Sequence, residues 1–143
     1  ISACLGREEF RRAAREVFLT GSCWNDAVAM AAALKCLELG PDRGVVEKLD
    51  QLGRRLGSGL EEHASKHGLP LTMTGPPAMP FPCFEEDENL YSMQRFCESC
   101  AEKGLFFHPH HNWFLCGAHD EAAIDEALVV AEAALAEMAR END

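Results

Sequence analysis

One long amphipathic pattern limits the folds open to this chain. Between positions 42 and 68, apolar residues recur three or four positions apart, which places their side chains on one face of an α-helix. They are Val45, Leu49, Leu52, Leu56, Leu60 and Ala64. Gly53, Gly57 and Gly59 lower the intrinsic stability of the same helix. The pattern therefore predicts a long helix that packs closely against another part of the backbone.

Helix and strand patterns also precede this helix. The stretch "ISACL" predicts a short buried strand, and "REEFRRAAREVF" predicts a helix after Gly6. A further helix is expected over the alanine-rich run that follows Asn25 and Asp26, because both residue types cap helix N-termini well. Glycine and proline at positions 40 and 41 predict its end.

The part of the chain after Gly68 predicts an open α+β layer. Two strands, "LPLTMTG" and "MPFPCF", flank a Pro-Pro turn, and the prolines of the second confine it to an edge or irregular strand. A helix follows, then two more strands, "LFFH" and "WFLC", around a histidine-rich loop, and a last helix capped by Asp120. The predicted fold is a set of helices packed on a small, mainly antiparallel sheet.

Composition excludes some classes of function. The 143 residues carry 13 basic and 24 acidic side chains, so the net charge of −11 disfavours a nucleic-acid groove. No apolar stretch is long enough to predict a membrane span, and the chain is expected to be soluble. Seven scattered cysteines predict reduced thiols and a cytoplasmic protein. Because the chain begins with Ile1 rather than methionine, a preceding part is expected to be missing.

The turn "TGSCW" is the first candidate site. Hydroxyl groups and free backbone N–H groups precede a helix N-terminus there, and such an end attracts anions. Serine, threonine, asparagine and glycine before a helix also serve simply as caps. From the residues alone, both the cap and a phosphate socket remain open.

Cysteines and histidines give two more candidates. Cys97-x2-Cys100 and Cys116-x2-His119 have the spacing of a zinc ribbon, although the first pair also lies on the apolar face of a predicted helix, where buried thiols are the alternative. The loop "HPHHNW" carries His108, His110 and His111, which could be metal ligands, general bases or polar loop residues at the rim of a site. The lysines are expected to be solvated helix residues.

The order of these segments resembles a known enzyme family over nearly all 143 residues. It is similar to the C-terminal part of class III aminotransferases, which are fold-type I pyridoxal phosphate enzymes, and most of all to the glutamate-1-semialdehyde aminomutase-like branch. The most specific pieces are "ISACLGREEF", "TGSCW" before the alanine-rich helix, and "AHDEAAID" at the start of the last helix. The resemblance implies a cytoplasmic homodimer formed through the large domain, acting on an amino acid or amino-aldehyde.

The resemblance also assigns domains and cofactor residues. Residues 1–41 match the tail of the large cofactor domain, and residues 42–143 match the small C-terminal α+β domain. In the family, a hydroxyl residue in the turn binds the pyridoxal phosphate of the neighbouring subunit; this role falls on Ser22, with Gly21 beside it and Thr20 as the second choice. No catalytic residue and no metal ligand is assigned to this chain.

Some parts of the family pattern are not found here. The family's Schiff-base lysine matches a position upstream of Ile1, so this segment is expected to be inactive alone. Many members bind a substrate carboxylate with an arginine near the last strands, where this chain has its histidine loop. Transamination and an intramolecular amino shift both remain open. The alternative from a different class is a stand-alone α+β interaction or zinc-binding module.

Overall fold

The computed structural model describes residues 6–17, 21 and 26–142. The chain divides into two compact units, Ile1–Arg43 and Gly44–Asp143, and each is described here by itself. The strand predicted for "ISACL" lies outside the described residues. No helix among the described residues combines the length and the apolar composition that a membrane crossing requires.

The described residues of the first unit form two α-helices, α1 (Arg11–Glu16) and α2 (Ala27–Leu39), and a 3-10 turn over Glu8–Phe10 precedes α1. As predicted, Asp26 caps α2: its carboxylate accepts hydrogen bonds from two backbone N–H groups of the first turn, at 3.0 and 3.2 Å. The helix ends at Gly40, whose N–H donates to the carbonyl of Cys36. None of the residues of α2 is buried within the described structure, and the side chain of Val28 is 80% exposed.

The second unit begins with the long predicted helix, α3 (Val45–Lys66). It starts slightly later than expected, because residues 41–43 form a short 3-10 turn and Gly44 adopts a left-handed φ of +57°. The predicted close approach of another backbone is confirmed at Gly53. A Cβ atom there would lie 1.9 Å from the carbonyl oxygen of Pro77, in the turn that joins the two strands.

Those strands, β1 (Leu71–Thr74) and β2 (Phe81–Phe84), form an antiparallel pair. Leu71 is paired with Phe84 at one end of the pair, and Thr74 with Phe81 at the other. Pro82 fits within β2 because a two-stranded sheet leaves each strand with one unpaired edge. The prediction of strands in this region is confirmed.

The prediction of two further strands, at "LFFH" and "WFLC", is wrong. Neither segment is a strand in the structure, although the backbone N–H groups of Trp113 and Leu115 donate to the carbonyls of Pro80 and Ala78 at 2.8 and 3.1 Å. Pro80 has no N–H group to donate in return, so the contact does not extend into a ladder. The sheet therefore has two strands among the described residues.

Helices α4 (Tyr91–Glu102) and α5 (Glu121–Asn142) complete the second unit. Asp120 caps α5 as predicted, accepting a hydrogen bond from the N–H of Ala123 at 2.9 Å. The inward faces of α3, α4 and α5 form the core. Its most fully buried side chains include Leu60, Met93, Phe96, Cys100 and Leu135. The α+β class and the packing of helices on a small antiparallel sheet are as expected.

Candidate functional site

The resemblance predicts cofactor-binding residues in the segment before α2. Thr20 and Ser22 lie outside the described residues, so their roles stay predictions, whereas Gly21 is described and exposed. A Cβ built on Gly21 would meet no described atom within 4 Å. The first backbone N–H groups of α2 already donate to the carboxylate of Asp26. A bound anion would therefore depend on the groups of the turn itself, because the helix end carries its own negative charge.

The described residues of the second unit enclose a cavity of about 610 Å³, which is open on one side. Its walls come from α3, the segment 105–115, His119 and the first turns of α5. Most of this surface is apolar, and includes Leu56, Leu105, Phe107, Trp113, Ile124 and Ala127. The polar lining consists of His108, His111, Asn112 and His119. We call this space the imidazole cavity.

Stacked aromatic rings hold the histidine loop in place. The rings of Phe107 and Trp113 lie parallel with centroids 3.8 Å apart, and Phe107 also stacks on the buried Phe96 at 6.1 Å. The indole N–H of Trp113 donates to the carbonyl of His108 at 2.9 Å. The loop is thus tied to the core at both of its ends, and the imidazoles sit on a fixed support.

Hydrogen bonds to the backbone determine the tautomers of the three lining histidines. Nδ1 of His108 accepts from the N–H of His110 at 3.1 Å, and Nδ1 of His119 accepts from the N–H of Cys116 at 3.1 Å. A nitrogen that accepts a hydrogen bond carries no proton, so the neutral rings of these two histidines carry theirs on Nε2. Nδ1 of His111 donates to the carbonyl of Asn112 at 2.8 Å, which leaves a lone pair on Nε2 in the neutral ring.

The structure brings together only part of the predicted histidine set. His108 and His111 line the cavity with ring centroids 6.0 Å apart, whereas the side chain of His110 does not line it. His119, expected only as a candidate zinc ligand, joins them. The alternation of apolar residues and histidines in "LFFHPHHNWFL" is the sequence signal for a partly polar cavity, but it does not indicate which rings face inward.

The described residues carry no charged side chain on the cavity surface. Two lysines of the second unit make contacts elsewhere. The ammonium group of Lys48 donates to the carbonyl of Gly117 at 3.0 Å. Lys103 bonds to the hydroxyl of Ser99 and the carboxylate of Glu137 at 2.9 and 2.6 Å. Lys48 lies on α3 and Lys103 directly follows α4, both at or near the surface as expected, and each also contacts a distant segment of the unit.

The cysteines of the zinc-ribbon spacing do not form a metal site in the part of the chain described. Cys97 and Cys100 are buried on α4, and burial raises the pKa of each thiol to about 12. A protonated thiol is a poor zinc ligand. Cys116 is exposed, and the part of the chain that the structure describes contains no cluster of three metal-binding side chains. Cys97 and Cys100 pack as small apolar groups, the alternative raised from sequence.

The sequence is similar to those of two aminotransferases. No protein-family model matches the sequence. The chain is 38% identical over 141 residues to the aminopentol aminotransferase of Sphingopyxis macrogoltabida, an alignment that covers 99% of the chain and 33% of that protein. It is 27% identical over 142 residues to the 3-aminobutyryl-CoA aminotransferase of Cloacimonas acidaminovorans (strain Evry), covering 96% of the chain and 34% of the relative.

A solved structure is also similar. The Sphingopyxis sp. MTA144 FumI protein, in its pyridoxal phosphate internal aldimine form, matches with a TM-score of 0.80 and 36% identity. The match covers 96% of this chain and 33% of the solved one. The chain thus spans about a third of the length of each of these relatives.

Proposed function

We propose that this chain, which is related in sequence and fold to the C-terminal third of pyridoxal phosphate-dependent aminotransferases, is part of an enzyme that transfers an amino group between small molecules. The observation that carries the proposal is 38% identity over 99% of the chain to an aminotransferase. The stand-alone zinc or interaction module is not favoured, because both sequence relatives are aminotransferases and the chain matches only about a third of each.

The imidazole cavity does not fit the phosphate of the cofactor. A phosphate dianion needs cations or several converging N–H donors, and no lysine or arginine lines the cavity. We therefore place the cofactor elsewhere and propose that Ser22 binds its phosphate through hydroxyl and backbone N–H groups, with Gly21 beside it and Thr20 as the second hydroxyl. The remaining cofactor contacts are proposed to lie in the two thirds of the relatives that the chain does not cover. When bound, pyridoxal phosphate supplies an electron sink for reactions at the amine carbon.

We propose transamination rather than an intramolecular amino shift, because both sequence relatives are named as aminotransferases. In both named substrates, an aminopentol and 3-aminobutyryl-CoA, the amino group is one small part of a larger molecule. By analogy, the substrate here is proposed to be an amine whose amino group is borne by a larger molecule, and the rest of that molecule is proposed to reach the second unit. Assignment to class III is part of the same proposal.

We propose residues 1–41 as the tail of a large cofactor domain and residues 42–143 as a small C-terminal domain. The division into compact units between Arg43 and Gly44 supports this boundary. We also propose a homodimer formed through the large domain. The exposed apolar side chains of Val28, Leu34 and Leu37 on α2 support a buried position for this helix in the complete protein. Five free cysteines among the described residues support a cytoplasmic location.

The proposal is tested with the complete polypeptide that contains this chain. We expect it to bind pyridoxal phosphate and to transfer an amino group to a 2-oxo acid. Replacing Ser22 with Ala is expected to weaken cofactor binding about tenfold, because a hydrogen bond to a charged group is lost. Ser58→Ala, at an exposed position of α3, is the matched control and should leave the Kd unchanged. A folded polypeptide that neither binds the cofactor nor transfers an amino group would contradict the proposal.

A further inference from the structure

We propose that the imidazole cavity binds an uncharged, hydroxylated hydrocarbon portion of the amine substrate, and that His108, His111 and His119 recognise its hydroxyl groups through Nε2. This inference rests on the proposed function, since it names the substrate class of the same enzyme.

The walls of the cavity favour a hydrocarbon. Its volume of about 610 Å³ lies within the usual range for small-molecule sites, roughly 300–1,000 Å³. Aliphatic and aromatic side chains form most of the surface, including Leu56, Phe107 and Ala127. Apolar groups of a ligand gain free energy when they leave water for such a surface. An alkyl chain is therefore the group that the walls stabilise best.

The histidine tautomers favour hydroxyl groups as the polar part of the ligand. Because Nδ1 of each ring is used by the backbone, the opposite edge with Nε2 is the one available to a ligand. His108 and His119 offer N–H donors, whereas His111 offers an acceptor. The rings of His108 and His111 are 6.0 Å apart at an angle of 79°. A hydroxyl group accepts and donates through one atom, so it can satisfy both rings, whereas an ether or ketone oxygen only accepts.

The charges around the cavity disfavour a carboxylate. The described lining has no lysine or arginine, so an anion would lose hydration without gaining an ion pair. The cavity is thus better suited to the hydroxylated hydrocarbon part of an amino alcohol than to the carboxylate-bearing part of an amino acid.

Binding of simple probes tests this inference without turnover. We would titrate the complete, cofactor-loaded protein with octane-1,2-diol, 1-octanol and octanoate and measure each Kd by calorimetry. The diol is expected to bind most tightly, and octanoate least tightly. His111→Phe keeps an aromatic ring but removes the acceptor, so the Kd values for the diol and for 1-octanol should both rise about three- to tenfold, while the Kd for octanoate, which has no hydroxyl proton to donate, should not rise. Tighter binding of octanoate than of the diol would overturn the proposal.

Two further variants keep the test decisive. His110→Phe alters a neighbouring histidine whose side chain does not line the cavity, and the backbone N–H that it donates to His108 is retained. Its diol affinity should equal that of the unaltered protein, and an effect as large as that of His111→Phe would refute specific recognition. Ala127→Phe fills the cavity and should abolish binding of all three probes; undiminished binding would place them elsewhere. Diol binding without amino transfer would refute only the proposed function, whereas amino transfer without diol binding would refute only this inference.

Discussion

Replacement of Gly53 by Ala tests the closest backbone approach in the second unit. Alanine is favoured over glycine inside a helix by about 1 kcal/mol, so an unhindered site would be stabilised. At Gly53, however, the new Cβ would lie 1.9 Å from the carbonyl oxygen of Pro77 and 2.3 Å from its carbonyl carbon. Both are backbone atoms, so the turn itself would have to move by about 1 Å, and overpacking of this kind costs roughly 1–3 kcal/mol or more. We expect a net loss of about 2 kcal/mol in the free energy of unfolding.

Two glycines in the same helix serve as matched controls. At Gly57 the added Cβ would lie 3.2 Å from Cγ of Met73, and at Gly59 it would lie 2.6 Å from the two terminal methyl groups of Leu128. Both neighbours are side chains that can rotate, so the helix-propensity gain is opposed by less strain. Urea unfolding followed by circular dichroism should rank the variants with Gly57→Ala most stable and Gly53→Ala least stable. If Gly53→Ala were as stable as Gly57→Ala, the inferred contact between α3 and the turn would be wrong.

Three further predictions concern titration and capping. Burial raises the pKa of Cys97 and Cys100 from 9.0 to about 12, so the folded state retains thiol protons that the unfolded state loses. The contribution of these thiols to stability should therefore be constant below pH 9, and the free energy of unfolding measured in urea should fall between pH 9 and about 12, less so in Cys100→Ala. Hydrogen bonds from Lys103 and, to a smaller extent, from Ser99 lower the pKa of the Glu137 carboxyl group in the folded state. Glu137 therefore stabilises the fold at pH values above its pKa in the unfolded chain, and this stabilisation is lost as the pH falls through its lower pKa in the folded state. Glu137→Gln should accordingly reduce the difference in the free energy of unfolding between neutral and acid pH. Asp26→Ala removes the acceptor that caps α2, so hydrogen exchange of the amides in its first turn should become faster, by an amount that corresponds to about 1 kcal/mol of lost helix stability. Asp26→Asn retains an oxygen acceptor and should leave the exchange rates unchanged.

Local patterns made the helices predictable. The apolar stripes of α3, α4 and α5 follow the period of the helix, and Asp26 and Asp120 stand where side-chain caps are needed. Even the close packing of α3 could be inferred, since buried glycines in a long helix suggest a neighbouring backbone. These features depend on residues close together in sequence, so a single chain carries enough information to find them.

The histidine region could not be derived in the same way. Its apolar runs suggested strands, yet Pro80 on the neighbouring segment cannot donate the hydrogen bonds that a ladder needs. Which histidines face the cavity depends on backbone hydrogen bonds and on the stacking of Phe107 on Trp113, and neither is visible as a sequence period. The cavity therefore emerges only when α3, this loop and α5 are placed together.

The most direct test of the central proposal is an amino-transfer assay. The complete polypeptide, saturated with pyridoxal phosphate, would be mixed with 1-aminooctane and pyruvate, and the alanine formed would be quantified against the amine consumed. We predict alanine in an amount equal to the amine lost, with no product when the cofactor is omitted. A folded, cofactor-loaded protein that forms no alanine from this amine, from an amino alcohol or from an amino acid donor would contradict the account.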